Sequence, residues 1–213
     1  MSTLAVFGAS GGTGRAVIAA ALEAGITLRC HYRSSPPDEN APEITEIVGP
    51  LTDPIVVRET VRGADAALVL FGQRASMKDV FTTRATRVIV DRLAISGPKR
   101  LIVVTPALIG GHSGNISLAM RMVSRVTARS GHEEVTADRN GQERLVRASD
   151  LDWLLVKPAR LVDGPPSGGV AVGPEEPVGL NSRVARSDLA AFLITEALAP
   201  THVRDAVYVV SKA

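Results

Sequence analysis

Cysteine is almost missing. Cys30 stands alone among 213 residues, so no disulfide can close within the chain, and a reducing cytoplasm is the expected setting. Aromatic residues make up only 3%, which leaves no platform on which nucleic-acid bases could stack. Neither sign of charge dominates. A net charge of +2 supplies no basic field for nucleic acid. No apolar run approaches the roughly 20 residues of a membrane helix, and no basic and apolar leader precedes the first strand pattern. Four scattered histidines and one cysteine offer no metal-ligand spacing, so no metal is expected. These absences exclude nucleic acid, membrane and structural metal as partners and leave a small molecule. Monomer and homodimer both remain open.

What is present is apolar sequence in the amount a folded core needs, 45% of the chain. The length suits one domain spanning 1–213, with no internal repeat and no linker. Apolar runs at 4–7, 26–32, 44–48, 66–71, 100–105, 151–156 and 206–210 read as strands. Helical patterns fall between them, at 13–22, 53–62, 77–95, 115–128, 133–147 and 187–198. Asp53-Pro54 reads as an N-cap with proline at the first helical position, and Ser187-Asp188 as a second cap. Strands alternating with helices imply an α/β fold, a doubly wound and mainly parallel sheet with helices on both faces. The stretch 162–182 is rich in glycine and proline and has little period.

The densest signal lies at the start. The first strand stops at Gly8, and Gly8-Ala-Ser10-Gly11-Gly12-Thr13-Gly14-Arg15 follows before a helix of small residues. A strand, a glycine turn and a helix form a pyrophosphate cradle. The turn reverses sharply, the backbone must approach an anion, and the free N–H groups at the helix start receive it. Such a Rossmann-like fold usually grips the adenosine ribose of NAD with an acidic residue after the second strand. Here that strand ends Tyr32-Arg33-Ser34-Ser35, with no carboxylate before Asp38. Arg33 can fork onto a 2′-phosphate and Ser34 can add a hydrogen bond, so NADP(H) is expected. The plainer reading of Arg33 is a solvated loop arginine. Arg15 could reach the same phosphate. Leu51 and Thr52, after the third strand, would lie beside the adenine. Phe71 and Gly72 end the fourth strand, where Gly72 would let backbone pass close to the cofactor. The glycine run lacks the Lys-Ser/Thr ending of an ATP-binding loop.

These segments resemble the atypical short-chain dehydrogenase/reductase group of NAD(P)H-binding proteins, in its flavin reductase (biliverdin reductase B) pattern. The resemblance runs through Gly8–Gly14, Tyr32-Arg33-Ser34, Gly63-Ala-Asp65, Val103-Val104-Thr105, Leu151–Pro158 and Val184–Ala190, nearly the whole chain. It implies phosphates on Gly11 to Arg15, a 2′-phosphate on Arg33, and a nicotinamide near Thr105 and the Pro158-Ala159 turn. The chain departs from the pattern at three places. Pro106 stands where a flavin reductase has serine, Arg139 where it has histidine, and Pro50 where relatives often have aspartate.

A helical Tyr-x-x-x-Lys pair, the usual proton relay of short-chain dehydrogenases, is missing. Tyr208 and Lys212 have the spacing but lie in a β-branched run. Four residues span roughly 13 Å on a strand, against about 6 Å on a helix. Hydride transfer to an electron-poor conjugated ring does not require that relay. The expected function is therefore an NADPH-dependent oxidoreductase that passes hydride to a flavin-like, quinone or other small conjugated acceptor. The acceptor would sit between loops 106–130 and 159–185. Thr105, His112 and Arg139 are the catalytic candidates, as proton donors or anion holders, with His132 behind them. Arg121, Arg125 and Arg129 read either as a solvated face or as a basic lip. An alternative is an NADP(H)-binding sensor with little turnover. A nucleotide-sugar epimerase is disfavoured by the missing Tyr–Lys pair.

Overall fold

Consecutive residues of the first strand, β1 (Thr3–Phe7), enter different cores. Leu4 and Val6 pack into one, and Ala5 and Phe7 into the other. A strand whose side chains alternate between two apolar layers must be buried on both faces, and from Leu4 onward none of β1 is exposed. The computed structural model describes residues 2–36, 41–72, 80–110, 116–119, 122 and 133–212.

The remaining strands are β2 (Thr27–Tyr32), β3 (Ile44–Val48), β4 (Ala66–Val69), β5 (Arg100–Val104), β6 (Asp152–Pro158), β7 (Arg160–Val162), β8 (Val170–Gly173), β9 (Arg183–Ala185) and β10 (Asp205–Ser211). The helices among the described residues are α1 (Gly12–Glu23), α2 (Pro54–Val61), α3 (Thr82–Ser96), α4 (Glu133–Arg147) and α5 (Arg186–Leu198). The main sheet runs β3-β2-β1-β4-β5-β6-β10-β8. All its pairings are parallel except β10 with β8. Helices α1 and α5 cover one face, and α2, α3 and α4 the other. The chain is thus a Rossmann-like α/β fold. Its strand order reverses between β1 and β4, which opens a crevice at their carboxyl ends.

Several local expectations need correction. Helix α3 starts at Thr82, and Val80 and Phe81, inside the expected helix 77–95, are not helical. The carboxylate of Asp138 on α4 accepts from the backbone N–H groups of Thr82 and Thr83, at 2.8 and 2.9 Å, and from the Thr82 hydroxyl. A residue far away in sequence therefore caps the helix, and local pattern cannot show it. Ser187 and Asp188 do not cap α5. Ala185 is its N-cap, without a side-chain bond, and Asp188 accepts from the N–H and hydroxyl of Ser167 instead. The stretch 162–182 contains β8, which adds an antiparallel edge, and β7 pairs with β9 in a small parallel ribbon. The Asp53 cap is as expected, accepting from the Ile55 N–H at 2.8 Å. The expected helix 115–128 lies largely outside the described residues, although 118, 119 and 122 are helical. Trp153 is a core residue at 6% exposure, with the Arg147 guanidinium 5.3 Å from its ring centre.

Candidate functional site

The glycine turn sits on the crevice. Gly8 has φ +95°, and a side-chain carbon there would come 2.6 Å from the Phe71 backbone nitrogen on the neighbouring strand end. One on Gly14 would overlap the Gly8 carbonyl oxygen. Both glycines are therefore required by close backbone approach. The turn closes through the Gly11 N–H to the Gly8 carbonyl at 3.1 Å. Helix α1 begins at Gly12 with Gly11 as its N-cap, no side-chain cap and no acidic residue in its first turn. Its first N–H groups and its positive dipole end are left for an anion. Ser10 and Gly11 are exposed, and the Ser10 carbonyl accepts from Arg15 Nη1 at 2.8 Å.

One residue that the sequence pattern does not single out lies against this turn. Arg186, the first residue of α5, lies against Gly12, where a side-chain carbon would come 2.8 Å from Nε. Its Nη1 pairs with Asp163 at 2.7 Å. Its Nε is buried and has no hydrogen-bond partner. A buried N–H left over beside a phosphate-shaped turn is a donor waiting for an acceptor. Its segment, Val184–Ala190, carried part of the resemblance, but nothing local assigns it a contact with a turn at the other end of the chain.

At the end of β2, Arg33, Ser34 and Ser35 are exposed and carry no ion pair with a described carboxylate. Cys30 and Tyr32, just before them, are buried. Burial pushes the Cys30 thiol up to about 12, which makes it inert as a nucleophile. Leu51 is half-buried against the α2–α3 core, and Thr52 is exposed beside it.

A cavity of about 380 Å³ runs from Thr13, in the first turn of α1, past Phe71 and Gly72 to Thr105, Pro106, Arg139, Pro158 and Ala159. Residues expected from five separate segments are thus brought together. Its far wall includes Leu108, Leu161 and Val178. The two loops expected to hold an acceptor touch there, with Ile116 and Val178 forming an isolated parallel bridge. His112 and His132, and the arginines at 121, 125 and 129, lie outside the described residues. A second depression, of about 460 Å³, lies between α3 and α4 and contains no expected site residue.

Beneath the cavity floor is a charged network that the sequence did not reveal. Thr105 donates its hydroxyl to Glu143 Oε1 at 2.7 Å. Lys157 Nζ donates to the same oxygen at 2.6 Å and to the Ile109 carbonyl. All three side chains are at most 3% exposed. Burial lowers the Lys157 pKa, while attraction to Glu143 works the other way. Nζ lies 5.9 Å from the ring centre of Tyr208, whose hydroxyl is buried without a partner. Tyr208 lies on β10, as the β-branched run implied, so the Tyr208–Lys212 spacing is not helical. The Thr105 O–H is committed as a hydrogen-bond donor to an internal carboxylate, and only its oxygen lone pairs remain for a ligand. Arg139 is 5% exposed; burial lowers its pKa, offset by Asp138, and an arginine remains protonated in proteins. It suits an anion holder and not a proton donor. Among the described residues no group of three His, Cys, Asp or Glu could hold a metal ion. No described helix is long and apolar enough to cross a membrane.

Comparison with known proteins agrees with this geometry. A sequence profile of the NAD(P)H-binding family matches residues 8–200. Among solved structures the chain is similar to a short-chain dehydrogenase/reductase from Veillonella parvula in complex with NADP. The TM-score is 0.81 at 18% identity, covering 100% of this chain and 95% of that one. It is similar to ChuY, an anaerobillin reductase from Escherichia coli O157:H7, with a TM-score of 0.74 at 21% identity over 99% and 97% of the two chains. It is also similar to the oxidoreductase ylbE from Lactococcus lactis, with a TM-score of 0.79 at 11% identity over 100% and 91%. At these identities the likeness is one of fold.

Proposed function

The chain belongs to the NAD(P)H-binding family, and from that premise we propose that it is an NADPH-dependent reductase of a flavin-like, quinone or other small conjugated acceptor. One observation carries the reading: a single cavity joins the start of α1 to the ends of β5 and β6. A dinucleotide laid across that path has its phosphates at one end and its reactive ring at the other. The nucleotide, when bound, supplies the hydride.

The residues then take these roles. Within the stretch from Gly11 to Arg15, the N–H groups of Gly12, Thr13 and Gly14, which close no turn or helix bond, and the free Nε of Arg186 hold the pyrophosphate. Arg33 and Ser34 hold the 2′-phosphate, and the sequence after β2 carries no carboxylate before Asp38 to grip a ribose diol. Leu51 and Thr52 flank the adenine. Phe71 and Gly72 border the path inward. Thr105 accepts a hydrogen bond at its oxygen, and Pro158-Ala159 forms the far side of the nicotinamide site. Loops 106–130 and 159–185 enclose the acceptor. Among the described residues lining the cavity there is no histidine, lysine, tyrosine or carboxylic acid. An acceptor that takes hydride at an electron-poor ring atom and its proton from water is what such a lining serves.

That same lining also favours a second reading, an NADP(H)-binding sensor with little turnover. Loss of nicotinamide absorbance with a panel of flavins and quinones separates the two. Oxidation of NADPH above the enzyme-free rate with at least one acceptor is expected. Measurable NADPH binding with no acceptor turned over leaves the sensor. Arg33→Asp is expected to weaken NADPH binding far more than NADH binding, and an equal loss of both refutes the 2′-phosphate assignment.

A further inference from the structure

Arg139 is buried and yet has few partners among the described residues. Its Nη1 donates to Gln142 Oε1 at a long 3.3 Å. The Gln142 amide is itself turned to that position by donating Nε2 to Thr86 Oγ1 at 2.9 Å. The nearest carboxylates are committed elsewhere. Asp138 accepts from Thr82 and Thr83, and Glu143 from Thr105 and Lys157. Among the described residues no acidic group pairs with the Arg139 guanidinium. Arginine is almost never buried unless paired, because removing its charge from water is costly. The guanidinium also lies at the cavity wall: a side-chain carbon on Gly72 would come 2.6 Å from Nη2. The lining is otherwise largely apolar, with Phe71, Val104 and Leu108; its other polar members are Thr13, Thr105 and the exposed Arg160, and it contains no acidic residue among those described.

We propose that Arg139 anchors an oxyanion of the acceptor, so that the molecule reduced here is a flat apolar ring system bearing a carboxylate or phosphate. This inference rests on the reductase reading. The fit has two parts: apolar walls take the ring, and one preset, charged fork takes the anion and fixes which ring edge faces the nicotinamide site. The cofactor's own phosphates have other receivers. The pyrophosphate cradle belongs to α1 and Arg186, and the 2′-phosphate site to the end of β2, whereas Arg139 comes from α4.

The test is equilibrium binding to the NADP⁺-loaded protein with two matched pairs of probes, FMN against riboflavin and cinnamate against cinnamamide. The anionic member of at least one pair is expected to bind about ten-fold or more tightly than its neutral partner, the size expected of a hydrogen bond to a charged group. Preference within the first pair identifies phosphate, and within the second carboxylate. Arg139→Gln is expected to reduce the preference to within about three-fold and Arg139→Lys to keep part of it, while NADP⁺ binds both variants as it binds the wild type. Equal affinity within both pairs overturns the proposal, as does an Arg139→Gln variant that loses NADP⁺ and probe together. If Arg139→Gln does not fold, the wild-type comparison still decides. Anion preference without NADPH oxidation supports the anchor and sinks the reductase reading. NADPH oxidation without anion preference does the reverse.

Discussion

Gly8→Ala and Gly25→Ala form a matched pair that isolates the close approach behind β1. Both glycines have positive φ, +95° and +68°. Alanine in a left-handed conformation costs about 1–2 kcal/mol, so both variants carry that strain. They differ in space. Around Gly25 nothing lies within 4 Å of an added side-chain carbon, whereas at Gly8 it would come 2.6 Å from the Phe71 nitrogen and 2.9 Å from the Phe71 Cα. Those atoms are backbone just past the end of β4, the strand beside β1, and cannot rotate away. Overpacking of that kind adds about 1–3 kcal/mol. Gly8→Ala should therefore lose about 2–5 kcal/mol in all, and Gly25→Ala about 1–2 kcal/mol. For a domain of this size each kcal/mol moves Tm by roughly 2–4 °C, which puts Gly8→Ala roughly 2–12 °C below Gly25→Ala. Thermal unfolding without cofactor reads this difference, and fluorescence titration with NADPH reads its functional counterpart. Gly25→Ala should bind NADPH as the wild type does, and Gly8→Ala should bind it more weakly. Equal melting temperatures would mean that the β1 and β4 ends separate freely, and the rigid-cradle argument would fail.

Removing one member of the Lys157–Glu143 pair, by Lys157→Met or Glu143→Gln, should destabilise the protein by about 3–5 kcal/mol, because the other charge is left buried. The double variant should recover part of that in urea titration; single variants as stable as the wild type would contradict the buried pairing. Cys30 should resist thiol reagents at pH 8 in the folded protein and react fully in urea, since burial raises its pKa to about 12; rapid labelling of native protein would show that β2 opens. Stability should fall in acid. Burial alone would raise the Asp138 and Glu196 pKa values, but hydrogen bonds from Thr82 and Thr83, and from Thr201 and His202, hold them below the usual carboxylate range. The stability this contributes is present above the unfolded pKa values of about 4 and is lost as pH falls through the folded ones. A urea midpoint that stays flat from pH 7 to about 3 would contradict it, and Asp138→Asn should flatten the acid limb.

Sequence by itself determined the frame. The apolar runs at 4–7 and 66–71, the glycines at 8, 11 and 14, and the small-residue helix behind them are local signals. Strand burial, turn geometry and helix period are written in neighbouring residues, so the parallel sheet and the glycine turn could be read directly. The missing carboxylate after Tyr32 is a local signal of the same kind. Tertiary structure decided which polar side chains turn inward. Arg139 and Glu143 lie four apart on one polar-looking helix, with nothing in their spacing to distinguish them from solvated charges, and both are buried. Folding brings Lys157 and Thr105 to Glu143, leaves Arg139 at the cavity with no carboxylate partner among the described residues, and lays Arg186 across Gly12. Each of these contacts joins elements far apart along the chain. Their energy depends on what meets them after packing, and that is the physical reason these contacts could not be read from sequence alone.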